Sequence, residues 1–240
     1  MHNCVLDASS IRWHFLFYKI GGCFFKGAVF GRIEQNMYFL DLLGTFAFAI
    51  TGAFKAKQAE LAFFGVVFLG IVTAFGGGTV RDLIINRAPL FYLTDPNYLF
   101  VAILGSVITF FAPTFFKQKF SFFRFIDSIG LASFSIIGVS ITYNYIFLNT
   151  EISLTSFLSC VLLGMITAFV GGVLRDAIMG DTPFAFRQGS NYTLSAFLGA
   201  FLFYLLMFYN ITIAIIISMM TTLFMREVVS KYGILKKNFK

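Results

Sequence analysis

Histidine is almost missing from this chain: of 240 residues only His2 and His14 carry an imidazole, and both lie near the N-terminus. Histidine acid–base chemistry and histidine metal ligation are therefore excluded from the body of the protein. Cysteine is scarce as well. Cys4, Cys23 and Cys160 have neither metal-binding nor redox spacing, so no disulfide, metal site or cofactor is expected. Charge is the third shortage: Asp, Glu, Lys and Arg supply 12% of the residues, about half the share of a soluble domain. With a mean hydropathy of +0.85, that shortage excludes a soluble fold. No nucleophile–base pair and no carboxylate cluster falls in the apolar segments, so an enzyme is not expected.

What the chain has is apolar sequence, 58% of it, including 35 phenylalanines whose scatter shows no cage or stacking array and which read as bilayer-facing and helix-packing bulk. A hydrocarbon core of about 30 Å takes roughly 20 apolar residues per helix. Seven windows meet that need: 39–54, 61–85, 97–116, 128–147, 154–178, 191–209 and 211–228. The fold class expected is an all-α polytopic membrane protein. Residues 1–36 stand apart, because their apolar stretch is interrupted by Lys19, Gly21, Gly22, Lys26 and Gly27, and Met37 directly precedes the first good span. They read as an extension, either an interfacial segment or sequence upstream of the true start.

The chain also repeats itself. GIVTAFGGGTVRDLIINRAPLF at 70–91 returns as GMITAFVGGVLRDAIMGDTPFAF at 164–186, DLLGTFAFAITG from Asp41 returns as DSIGLASFSIIG from Asp127, and Asn97-Tyr98 returns as Asn191-Tyr192. The first helices are offset by 127 − 41 = 86 residues and the later elements by 175 − 81 = 94, so the second half carries 94 − 86 = 8 extra residues between its first two helices. Each repeat holds three spans, an odd number, and the second must enter the membrane upside down relative to the first. The expected organisation is a three-helix repeat at 37–120, its inverted copy at 121–210, a seventh helix at 211–230 outside the duplication, and a basic tail at 231–240.

The net charge of +7 reflects topology and not nucleic-acid binding, because the basic residues sit in short loops and the tail. Lys55, Lys57, Lys117, Lys119, Arg124, Arg187, Arg226 and the lysines of the tail collect on one face, whereas the other has Arg87 and Arg81 with Asp95 and Glu151. The basic face, and with it the C-terminus, is expected to be cytoplasmic.

The duplicated phrase is the candidate functional element. Gly76, Gly77 and Gly78 in the second helix, and Gly171 and Gly172 in the fifth, are poor helix formers, each costing about 1 kcal/mol relative to alanine. A kink or break there would free backbone carbonyls able to coordinate an ion; glycines that merely let two helices cross closely are the alternative. Three positions on stand Arg81 and Arg175, costly at a helix centre unless paired or hydrated. Their neighbours Asp82 and Asp176 point about 100° away on a helix, so partners on other helices are expected. Asp41 and Asp127, which open the first helix of each repeat, are candidates for that pairing or for pathway rims, against a plain helix-start role. Pro89 and Pro183 end the second helix of each repeat.

Doubled GGGxxRD and GGxxRD phrases, each followed by a proline, in a seven-span bundle resemble the prokaryotic TRIC family of trimeric intracellular cation channels, also called UPF0126 or the glycine-transporter domain family. The likeness covers 37 to about 230. It implies a symmetric homotrimer in a bacterial inner membrane, each protomer with its own hourglass pore for potassium and sodium, lined by the kinked second and fifth helices, with Arg81 and Arg175 beside the pathway. The sequence departs from the pattern at Val170, where the second phrase lacks its first glycine. It departs again at Arg175-Asp176, where animal relatives carry a Lys-Glu-Val type motif associated with phosphoinositide, so lipid regulation of that kind is not carried over. Arginines beside a cation path suit gating or structural pairing, with carbonyls supplying cation affinity.

Two transport readings stay open on the residues alone. One is a passive monovalent-cation channel. The other is a carrier of a small solute such as glycine, whose carboxylate Arg81 or Arg175 would hold. A non-transporting assembly protein, using small residues and basic tail for packing and lipid contact, is a third.

Overall fold

The computed structural model describes residues 26–112, 120–149, 153–187 and 191–229. Among these, α-helices form α1 (Lys26–Gln58), α2 (Phe63–Ile84), α3 (a single turn, Phe91–Thr94), α4 (Pro96–Phe111), α5 (Phe120–Asn149), α6 (Leu154–Ile178), α7 (Tyr192–Leu206) and α8 (Ile211–Phe224). α8 passes into a π-helical segment at Met225–Val229. Every apolar window falls on a helix, although the end of the third lies outside the described residues, as do Lys117, Lys119, Glu151 and the tail lysines. Four helical segments are long and apolar enough to cross a membrane by length and composition: Met37–Gln58, Phe63–Ile84, Phe123–Ile146 and Leu154–Ile178. Pro96–Phe111 and Tyr192–Leu206 are shorter apolar helices. The helical backbone of α1 extends upstream of Met37 to Lys26, so the expected boundary at 37 does not coincide with a helix start.

Local chemistry sets the ends. Asp95 caps α4 by accepting the Asn97 amide at 2.9 Å, with Pro96 in the first turn where its missing N–H costs nothing. Ser153 and Ser156 form a capping box at α6. α2 and α6 end alike. Asn86 (φ 53) and Gly180 (φ 73), related by the 94-residue offset, adopt the left-handed conformation. Around them Arg87 N–H donates to the Asp82 carbonyl at 2.8 Å and Asp181 N–H to the Asp176 carbonyl at 2.9 Å. Both are Schellman turns, which absorb orphan helix-end carbonyls and turn the chain away from its axis. Of the eight extra residues of the second half, five extend α5 past Asn144, the equivalent of the end of α1, and three start α6 ahead of Phe157, the equivalent of the start of α2.

α1 packs on α2 and α4, and α5 packs in the same way on α6 and α7; the two sets meet through α1 against α5 and α2 against α6. α8 lies on α7 and α5. Equivalent residues meet at the centre: the Phe48 and Phe134 rings, related by the 86-residue offset, stand 5.1 Å apart edge to face. Gly44 lies against Phe134 and Gly130 against Phe48, so each ring seats on the other half's glycine.

Candidate functional site

The glycine phrases are where α2 and α6 touch. A Cβ added at Gly77 would collide with the Thr167 carbonyl, and one added at Gly171 would collide with the Thr73 carbonyl. The 94-residue offset maps each pair onto the other. Because the higher-numbered residue of α2 meets the lower-numbered residue of α6, the two helices cross antiparallel. Thr73 and Thr167 turn their hydroxyls back onto the Leu69 and Leu163 carbonyls, both at 2.6 Å, so neither threonine obstructs the crossing.

The α-helical backbone is continuous through Gly76, Gly77 and Gly78 and through Gly171 and Gly172. A break is therefore absent, and the glycines act as contact surface. An added Cβ at Gly76 would reach the Gly171 Cα at 3.4 Å, and at Gly78 and Gly172 it would crowd the Phe91 ring and the Tyr192 hydroxyl at 2.6 Å and 2.8 Å. Close packing against a facing backbone outweighs the glycines' intrinsic tendency to interrupt the helix.

Antiparallel crossing sends the two Arg-Asp pairs to opposite ends of the bundle, where they build different clusters. In the first, Arg81 contacts its own neighbour: Nε donates to Asp82 Oδ1 at 2.8 Å and Nη2 reaches the same oxygen at 2.7 Å. Arg87 approaches it at 3.7 Å. Asp41 accepts the Tyr98 hydroxyl on Oδ2 at 2.8 Å, and nearby Tyr38 donates to Asp95 at 2.6 Å. Asp82 Oδ2 is buried without a hydrogen-bond partner among the described residues.

The second cluster is denser. Arg175 donates from Nε to Asp176 Oδ1 at 2.9 Å, and from Nη1 to Asp127 Oδ1 at 2.7 Å and Thr51 Oγ1 at 3.1 Å; its Cζ lies 4.9 Å from the centroid of the Phe123 ring. Asp127 Oδ2 takes Arg226 Nη2 at 2.7 Å. Asp176 also receives Lys55 Nζ at 2.7 Å and the Phe184 amide at 3.1 Å, and Lys55 continues to Asp181 at 2.8 Å. Arg175, Asp127 and Asp176 are fully buried. Beside them a cleft of about 170 Å³ opens between Phe54, Lys55, Phe123, Asp181, Phe184 and Arg187.

Two sequence expectations change. Asp82 and Asp176 do pair with the adjacent arginines despite the 100° offset, because a guanidinium on a long stem folds sideways across the helix surface to reach them. The other-helix partner exists for Arg175, which meets Asp127, whereas Asp41 is held by Tyr98. Sequence reasoning missed Thr51, Tyr98 and Tyr192 and gave Lys55 and Arg226 only a topological role. The matching places of Tyr98 and Tyr192 in the repeat were the available signal.

The chain matches the family described as glycine transporter over residues 38–114 and 124–208. It belongs to the TRIC/UPF0126 family. The UPF0126 inner membrane protein YadS of Escherichia coli K12 is 35% identical over 155 residues, 63% of this chain and 70% of that protein. A UPF0126 membrane protein of Deinococcus radiodurans is 34% identical over 172 residues, 70% of this chain and 75% of its own. Among solved TRIC structures, the trimeric intracellular cation channel orthologue from Rhodobacter sphaeroides superposes with a TM-score of 0.74 at 29% identity, covering 83% of this chain and 99% of that one. A prokaryotic TRIC channel crystallised in 0.5 M KCl gives 0.73 at 25% identity, covering 84% and 98%. The chain is thus an all-helical membrane protein with a TRIC fold, and the repeat phrases lie inside the two matched segments of the TRIC/UPF0126 family.

Proposed function

We propose that this protein is a passive monovalent-cation channel of a bacterial inner membrane, assembled as a homotrimer with one pore per protomer and its C-terminus in the cytoplasm. Seven spans form the protomer: α1, α2 and α4, their inverted copies α5, α6 and α7, and α8. The observation that carries this reading is the reciprocal α2–α6 crossing, in which Gly77 faces the Thr167 carbonyl and Gly171 the Thr73 carbonyl, in a fold shared with solved cation channels. The glycines bring a backbone otherwise shielded by side chains to the contact between the inverted halves. A small separation of α2 from α6 would expose those carbonyls, which keep their helical hydrogen bonds, to a water-filled path, where their outward lone pairs favour cations. Pairing with Asp82, Asp127 and Asp176 offsets the arginine charge that would otherwise repel those cations.

A carrier of a small amino acid is the second reading, favoured by the description of the matching family. Against it stands the occupation of Arg175, whose Nε and Nη1 already serve two protein carboxylates. A substrate carboxylate would have to displace one of them or use the remaining buried edge. Planar-bilayer recording of the purified protein in potassium, sodium and chloride gradients tests both readings. Unitary currents reversing near the cation potential and indifferent to glycine are expected; electrically silent protein that accumulates labelled glycine in liposomes would replace the channel with a carrier.

A further inference from the structure

α8 has no counterpart in the repeat, yet it supplies the residue that most distinguishes the two charged clusters. In the first half, Oδ2 of Asp41 accepts the Tyr98 hydroxyl at 2.8 Å. In the second half, the equivalent oxygen, Oδ2 of Asp127, accepts Arg226 Nη2 at 2.7 Å. Tyr192, the equivalent of Tyr98, lies beneath that guanidinium, whose Cζ is 4.0 Å from the ring centroid. The Tyr192 hydroxyl is directed to Gly172, beside Arg175. Arg226 thus stands where the first half uses a tyrosine.

Arg226 is also built to hold. It is buried, its Nε donates to Ser128 Oγ at 3.1 Å, and the next residue, Glu227, accepts Ser128 Oγ at 2.8 Å and Arg124 Nε at 3.2 Å. Both residues sit on the π-helical segment Met225–Val229, a wider turn that frequently marks functional positions in helices. Two consecutive side chains of the π-helical segment after α8 thereby grip the first described turns of α5, and Arg226 reaches through Asp127 to Arg175 on α6, one of the two helices that cross at the glycines.

We infer that the end of α8 is a latch on the α2–α6 crossing, closed when Arg226 occupies Asp127 and released when Tyr192 takes Asp127 in the manner of Tyr98 and Asp41. The first half displays the released arrangement. Arg226 is a positioning residue: it acts on α6 through Asp127 and Arg175 and does not itself touch a permeating ion. Both holds use the same carboxylate oxygen, and exchanging one for the other would give the protomer a discrete two-state element, as gating requires.

This inference rests on the channel reading, and the experiment separates the two. Full-length wild-type, Arg226→Gln, Arg226→Lys and Tyr192→Phe proteins are recorded in planar bilayers in potassium chloride. Arg226→Gln is expected to raise open probability at least about five-fold, the low end of coupling between linked sites, with unitary conductance and reversal potential unchanged. Arg226→Lys restores most of the closed behaviour, and Tyr192→Phe lowers open probability. Equal open probability in wild type and Arg226→Gln overturns the latch. Wild-type protein without current sinks the channel reading, and amide hydrogen exchange then decides the latch: faster exchange at 123–128 and 225–229 in Arg226→Gln supports it, unchanged exchange removes it. Should Arg226→Gln fail to fold, Glu227→Gln, which leaves the Arg226–Asp127 bridge in place, gives the same readouts with a smaller rise expected and no rise overturning.

Discussion

Arg175 and Asp127 meet at 2.7 Å between α6 and α5, with neither side chain exposed to solvent. Their repeat equivalents, Arg81 and Asp41, are held by different partners, Asp82 and Tyr98. One duplicated sequence has thus produced an Asp127 held by two arginines and an Asp41 held by a neutral hydroxyl, and the behaviour of each carboxylate should differ accordingly.

Asp127→Asn leaves two buried arginines facing a neutral amide, and breaking a buried pair in this way costs about 3 to 5 kcal/mol. Asp41→Asn keeps an acceptor for Tyr98 and loses about 1 kcal/mol. Thermal unfolding of the two variants in the same detergent should show a much larger drop for Asp127→Asn; equal drops would mean that the buried charge pairs carry no special weight.

Gly77→Leu and Gly171→Leu force a side chain into the carbonyl of the facing helix. Membrane insertion and yield should persist, while cation flux is lost and stability falls by about 1 to 3 kcal/mol or more, the scale of overpacking in a tight contact. Normal flux in both variants would take the crossing out of the mechanism.

Lys57 caps α4 from a neighbouring helix, its Nζ donating to the carbonyls of Thr109, Phe110 and Ala112 at 3.1, 2.6 and 2.6 Å. Lys57→Met keeps the stem and removes the donors, with an expected loss of about 1 to 3 kcal/mol from unsatisfied carbonyls. Hydrogen exchange should quicken in the last turn of α4 and stay unchanged in α7.

Arg81 is the less heavily paired of the two arginines. If it borders the ion path, Arg81→Gln removes a positive charge and should move the reversal potential in a potassium chloride gradient toward the potassium potential. A reversal potential identical to wild type would place Arg81 off the path.

Much of this was legible in the residues. The apolar windows announced helices, because a bilayer leaves a spanning segment few other ways to satisfy its backbone. The offsets of 86 and 94 announced the duplication and which residues correspond. What the glycines do was misjudged in part: intrinsic propensity argued for a break, but a glycine's propensity describes an isolated helix, and the facing backbone of α6 rewards the smooth surface that glycines leave. The pairing of Arg81 with Asp82 escaped the angular argument because that argument tracks Cβ directions and a guanidinium travels several bonds beyond its Cβ.

The sequence by itself determined the helices, the repeat and the identity of the buried charges, since each follows from local composition and period. Only the tertiary structure decided which charge meets which. That Arg226 from outside the repeat would claim the oxygen of Asp127 that its twin Asp41 gives to a tyrosine depends on where α8 lands against α5 and α7. Pairing is a property of distance, and residues 99 positions apart acquire a distance only when the bundle packs.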